Sequence, residues 1–258
     1  MTVTLGFDIE EFDFPLERGR SVDLDTQLDV SEEGFRFILD MLERLHIKAT
    51  FYTTANFAKH RPDTVLRASA AGHEIASHDY CHCMESPDPA ASRRLLEELT
   101  GRTVIGYRAP RLTAMSHTRL RDAGFLYDSS VNPTWIPGRY NYLFSSRGVY
   151  DIDGLRIYPA SVAWPLRVPL FWISLHVMPL PLYRLLVRTA LYRDGHLNLY
   201  FHPWEFSDRL SDRAFGVPGY IARCSGARLR GKLELLLGWL INIGCRFDTT
   251  RNYLGFDE

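Results

Sequence analysis

The chain has 258 residues, 46% of them hydrophobic and 24% charged, with a formal net charge of -1. That length accommodates one large α/β domain or two smaller ones around a substantial core. Near-neutrality excludes a surface built to coat nucleic acid, so no nucleic-acid partner is expected. Met1-Thr-Val-Thr-Leu-Gly-Phe-Asp8 lacks a basic stretch followed by a long apolar one. No leader peptide is therefore read, and a cytoplasmic protein with four reduced cysteines (Cys81, Cys83, Cys224, Cys245) is expected.

Strand patterns occur at Val3–Phe7, Ala49–Thr54, His73–Ser77, Thr103–Tyr107, Phe125–Tyr127, Leu155–Tyr158, Leu197–Phe201 and Cys245–Phe247. Helical patterns lie between them. Ser31 is a plausible N-cap for Glu32–Leu45, where Phe35, Ile38, Leu39, Leu42 and Leu45 form one stripe. Pro62–Ala71, Ala90–Leu99, Ser116–Ala123 and Arg228–Ile243 read the same way, and Gly72 and Gly124 stand where helices stop. Repeated strand–helix alternation predicts a parallel sheet with helices outside, curled into a distorted (β/α) barrel, TIM-like, of seven or eight strands. No repeat or Ser/Gly linker divides the chain, so residues 1–258 are taken as one domain.

Three stretches break the alternation. Glu10–Val30 is a long charged connection, and 131–153 is rich in Pro, Gly, Tyr and Asn. An apolar insertion at 162–192 contains Trp164, Phe171 and Trp172, but its prolines and Arg167 rule out a spanning helix. It is expected either to pack over the barrel or to form an interfacial lid, peripheral to the inner face of a membrane, with Trp172 in the apolar contact.

The chemistry gathers around Gly72-His-Glu-Ile-Ala-Ser-His-Asp-Tyr-Cys-His82. A helical turn would bring His78 and His82, four residues apart, onto one face as two corners of a metal site. Barrel strands aim their C-terminal ends at one rim. The other predicted strand ends carry Asp8 and Glu10, Arg108 and Arg111, Asp128, and His202-Pro-Trp-Glu205. Four acids, three histidines and two arginines on one rim are hard to reconcile with accident.

The order Phe7-Asp-Ile-Glu10, Ala49-Thr-Phe-Tyr52, Gly72 to His82, Tyr107-Arg-Ala-Pro110, Tyr127-Asp-Ser-Ser130 and Leu199-Tyr-Phe-His202 resembles the polysaccharide deacetylases. This is the NodB-homology group, carbohydrate esterase family four. His202-Pro-Trp-Glu205 resembles the branch associated with exopolysaccharide and O-antigen biosynthesis. The resemblance implies a metal-dependent hydrolase that removes N-acetyl groups from amino sugars. It implies Glu10, His78 and His82 as metal ligands, Asp8 as general base held by Arg108, and His202 as general acid. Arg111 would supply a backbone donor to the developing oxyanion, with Arg111, Trp204 and Glu205 contacting substrate.

Two assignments stay open at this point: Glu10 or Asp13 as the carboxylate ligand, and Asp128 or Glu205 as the partner of His202. A His₂-carboxylate set suits zinc first, and also cobalt, nickel or iron. The implied substrate is an N-acylated amino sugar in a glycan or a lipid- or nucleotide-linked precursor. Two other enzyme readings use the same site, as a deformylase of a lipid-linked sugar or a hydrolase of a small cyclic amide. A non-catalytic carbohydrate-binding barrel is a further alternative.

Overall fold

The computed structural model describes residues 1–82 and 86–256. Strand β1 (Thr2–Ile9) lies at the centre, buried from Val3 onward. It pairs in parallel with His196–Phe201 on one side. On the other side its first residues meet Arg246–Asp248 and its later ones meet β2 (Thr50–Thr53). Then β3 (Glu74–Ser77), β4 (Gly106–Tyr107), β5 (Tyr127–Asp128) and Leu155–Ile157 follow in order, all parallel, with Tyr150–Ile152 antiparallel at the far edge. Both faces of such a sheet are covered, so the strands read as nearly continuous apolar runs.

The sheet curls until its ends meet through an irregular segment. Ser161 N–H donates to the Asn198 carbonyl at 2.9 Å, and the Asn198 side-chain amide donates to the carbonyls of Tyr158 and Pro159. The distorted (β/α) barrel expected from the alternation is therefore the observed fold, bridged at one seam by isolated backbone and side-chain hydrogen bonds instead of a ladder.

Helix α1 runs over Leu24–Arg44, and its N-cap is Asp23, whose carboxylate accepts the Thr26 N–H at 2.9 Å. The expected start at Ser31 is corrected, since that residue is buried inside the helix. Leu28, sharing the stripe of Phe35, Ile38 and Leu42, carries the pattern back through what reads as a charged connection. A β-carbon on Gly34 would collide with the Pro203 carbonyl, so this glycine lets α1 lie against the Pro203–Phe206 turn that follows His202. The 162–192 insertion forms a two-stranded hairpin (Val162–Ala163 with Val168–Pro169) and helices Trp172–Val177 and Leu180–Asp194. Cys224 and Cys245 are free thiols, whereas Cys81 is disulfide-bonded, which corrects the expectation of four reduced cysteines. Reasoning from compartment carries no information about which sulfurs the chain brings together. Cys83 lies outside the described residues.

His73, within the signature stretch, is structural. Its Nδ1 accepts the Ala49 N–H at 3.2 Å, so it must be neutral, and burial, reinforced by Lys48 and Arg67, pushes its pKa down to about 4. The unfolded chain takes up this proton near pH 6.5 and the folded one only near 4. Stability is therefore complete above about pH 6.5 and falls as pH drops toward 4, by at most about 3 kcal/mol from this group. Urea midpoints between pH 7.5 and 4.5 should fall less steeply in His73→Gln than in the parent. Equal slopes would remove His73 as the cause.

Candidate active site

The two histidines converge, but not by a helical turn. Ser77 ends β3, and Asp79 takes a left-handed backbone (φ 65°) that swings the chain round. Aspartate tolerates this conformation better than most residues. It is also fixed: its carboxylate accepts the N–H groups of Tyr80 and Asp88 and the Tyr107 hydroxyl. The two imidazoles come to rest 5.6 Å apart, nearly parallel.

Glu10, at the end of β1, completes the cluster. One oxygen of its carboxylate lies 3.1 Å from His78 Nε2 and 3.0 Å from His82 Nε2, with the donor atoms of all three residues within 4.8 Å of one another. The outer ring nitrogens are already committed. His78 Nδ1–H donates to the Arg108 carbonyl at 2.8 Å, and His82 Nδ1–H to the Asp13 carboxylate at 2.9 Å. In a neutral imidazole the other nitrogen then carries a lone pair, and here both lone pairs face a carboxylate oxygen. Lone pair against anion is repulsive unless a cation lies among them, so the donors fit a divalent metal and the separations suit ligands of one small ion. Burial alone would discharge His82, but Glu10 and Asp13 outweigh it and push its pKa to about 10, so this spot demands positive charge. The structure thus puts Glu10 in the cluster and Asp13 behind His82 as its orienting acceptor.

Asp8 and His202 face each other across the rim. Asp8 Oδ1 accepts from Arg108 Nη1 at 2.7 Å, and its Oδ2 lies 3.8 Å from His202 Nε2. His202 Nδ1–H donates to Glu205 at 2.8 Å, and the same carboxylate takes the His202 backbone N–H. Burial would lower the pKa of His202, but Glu10, Glu205 and Asp8 together raise it, which favours the charged imidazole with Nε2 turned toward the site. Asp128 is not brought to His202, which corrects that candidate. Its carboxylate is held by the backbone N–H and hydroxyl of Ser130, and burial pushes its pKa up to about 6 against the pull of that bonding. The three-residue spacing of His202 and Glu205 in one tight turn makes the nearer acid the partner.

The remaining candidates line the mouth. Trp204 stacks on the His202 ring at 5.1 Å and donates from its indole to the second oxygen of Glu10 at 3.0 Å. Its contact is therefore with the site's own residues. Arg111 has a left-handed backbone (φ 56°) and pairs with Asp13 at 2.9 Å and Glu17 at 2.8 Å. Trp172, from the apolar insertion, stands edge-on to His202 at 5.4 Å and walls the pocket. Of the two expectations for the insertion, packing over the barrel is the one Trp172 meets, and nothing local in the sequence signals its inward position. His176, one turn further along that helix, reaches Glu205 Oε2 at 3.4 Å and Ser225 Oγ at 3.2 Å. It backs the carboxylate that backs His202.

Residues 25–127 match the family model described as polysaccharide deacetylase. Over this part, the chain is similar to the polysaccharide deacetylases. The matched segment carries His78, His82 and Arg108, while Asp8, Glu10 and His202 lie outside it and join the same site through the barrel. A peptidoglycan deacetylase-like protein of Gibberella zeae is 32% identical over 112 residues, 38% of this chain and 33% of that protein. A chitin deacetylase of Colletotrichum lindemuthianum is 34% identical over 90 residues, 30% of this chain and 36% of that one. The aligned stretches thus span about a third of each relative. The crystal structure of a polysaccharide deacetylase-like protein from Mycobacterium smegmatis superposes with a TM-score of 0.61 at 22% identity, covering 92% of this chain and 83% of that one. At that identity the likeness extends the deacetylase fold over nearly the whole chain.

Proposed function

We propose that this protein is a metal-dependent N-deacetylase that hydrolyses the N-acetyl group of an amino sugar in a glycan or glycan precursor. The observation that carries the reading is a carboxylate, Asp8, and an imidazole, His202, facing each other beside one donor cluster. Glu10, His78 and His82 supply a His₂-carboxylate set, for which zinc is the leading ion. A bound divalent cation would polarise the amide carbonyl and acidify a water molecule.

The chain's own residues do the rest. Asp8 offers its free Oδ2 to the water proton, while Arg108 fixes the other oxygen. His202 holds a proton on Nε2, facing the same space, for delivery to the departing amine, which is too basic to leave as an anion. Glu205 keeps that imidazole oriented and stabilises its charge. Trp172 and Trp204 cover the ring and exclude water from one side.

Acetate release from N-acetylchitooligosaccharides tests the proposal. The purified protein should hold about one transition metal per chain by elemental analysis. EDTA should abolish acetate release, and zinc should restore it. His78→Ala and His82→Ala should lose both metal and activity while keeping the parent's circular dichroism. Undiminished hydrolysis by metal-free protein would refute the reading, and formate released from N-formyl sugars in place of acetate would redirect it to the deformylase alternative.

A further inference from the structure

The insertion that walls the site also carries an unusual outer face. Along helix Leu180–Asp194, Tyr183, Val187, Ala190 and Leu191 point inward and are buried. Leu182 is 44% exposed, Leu185 55% and Tyr192 90%. With Thr189 these residues are three, four or seven positions apart and share one side of the helix. The hydroxyl of Thr189 accepts the backbone N–H of Trp164 at 3.0 Å, which seats the turn of the Val162–Pro169 hairpin on that same side. The turn leaves Trp164 49% and Leu166 82% exposed. Arg167 then ties the hairpin to the preceding loop by donating to the carbonyls of Pro133 and Ser145, next to exposed Trp135 and Phe144. The result is a continuous ribbon of exposed aromatic and aliphatic side chains, not the scattered singles of an ordinary surface.

Its charge has one sign. No acidic residue occurs between 131 and 150 or between 162 and 193, while Arg139, Arg147, Arg167, Arg184, Arg188 and Arg193 do. Asp194, at the end of the helix, is held by Arg147 at 2.6 Å. On the neighbouring helix Ala227–Asn242, Glu234 is paired with Arg44, and Arg184 and Arg188 lie over Trp239. Among the described residues no helix is long and apolar enough to cross a membrane.

We propose that this ribbon docks the protein onto an anionic lipid bilayer, with Trp164, Leu166, Leu185 and Tyr192 in the interface and the exposed Arg188 and Arg193 among the headgroups. Tryptophan, tyrosine and leucine flanked by arginine match an interface that is apolar below and negative above. A second copy of the chain fits poorly, because a two-fold contact would set arginine face against arginine face. On the inner side of the same insertion, Trp172 touches His202. Docking would therefore place the mouth near the bilayer, where it could take an acylated sugar on a lipid carrier; this last step rests on the proposed deacetylase reading.

The test is sedimentation of the full chain with vesicles of phosphatidylglycerol and phosphatidylethanolamine, beside vesicles of phosphatidylcholine alone. The protein should pellet with the anionic vesicles and less with the neutral ones, and high salt should release it. Leu185→Glu with Tyr192→Glu should weaken partition about tenfold or more. The melting temperature and hydrolysis of a soluble chitooligosaccharide should stay at parent values. Trp172→Ala is not a test of this surface, because Trp172 faces the site. Protein left in the supernatant overturns the proposal, as does equal pelleting of the double variant. A dimer by light scattering that the double variant dissociates, without vesicle binding, assigns the ribbon to self-association and overturns it as well. The vesicle and light-scattering outcomes do not depend on turnover, so failure of the surface and failure of the deacetylase reading are separable.

Discussion

Asp8→Asn should lower the rate of acetate release by about 10²–10⁴-fold, the usual scale for removing a positioned base. Metal content should stay near that of the parent. Asp8 stands outside the Glu10–His78–His82 cluster, so its loss should not empty the site. One of its oxygens is occupied by Arg108 at 2.7 Å, and the other lies 3.8 Å from His202 Nε2, leaving a single acceptor turned to the reaction space. Asparagine keeps the shape and loses the capacity to take a proton. Turnover and elemental analysis on one sample distinguish this from a ligand variant: Asp8→Asn should hold metal and fail to turn over, whereas His78→Ala should lose both. A variant within threefold of the parent rate would show that another group accepts the proton.

The parts of this site legible in the sequence are those fixed by strand ends. Parallel strands deliver their last residues to one rim, so Asp8, Glu10, Arg108 and His202 could be placed together from spacing and alternation alone. The resemblance then supplied roles for them. What spacing could not show is how the chain turns after each strand. The pair His78 and His82 reads as two residues on a helix, but the left-handed Asp79 does that work, and its tether to the Tyr107 hydroxyl is tertiary. Asp128 and Glu205 were equal candidates behind His202, since both sit near strand ends, and only the tight Pro203–Phe206 turn separates them. The start of α1 was missed because Ser31 followed by two glutamates has the chemistry of a cap, while Asp23 lies in a stretch dense with acids. The side that Trp172 faces stays open in the sequence for a different reason. An apolar insertion has two sides, and hydropathy does not say which one faces the barrel.

Arg108→Met should destabilise the protein by about 3–5 kcal/mol, the cost of breaking a buried ion pair from one side. Arg108 is fully buried. Its guanidinium reaches Asp8 and Ser129 and lies 3.8 Å over the Tyr52 ring. Burial works against its charge, and Asp8 restores it. Gly6, in the middle of β1, makes the room: a β-carbon there would sit 2.7 Å from Arg108 Nη1. Methionine keeps much of the length and packing of arginine but strands Asp8 as a buried, unpaired carboxylate. The double variant Asp8→Asn with Arg108→Met removes both charges, and it should recover more than half of the stability lost by Arg108→Met alone. Urea unfolding of the parent, both single variants and the double variant closes the cycle. If the double variant shows the sum of the two single losses, the pair carries no coupling and Arg108 is held by Ser129 and Tyr52 instead. If stability returns while acetate release does not, the buried pair is kept for the ionised base it maintains, since a neutral pair then folds as well and catalyses nothing.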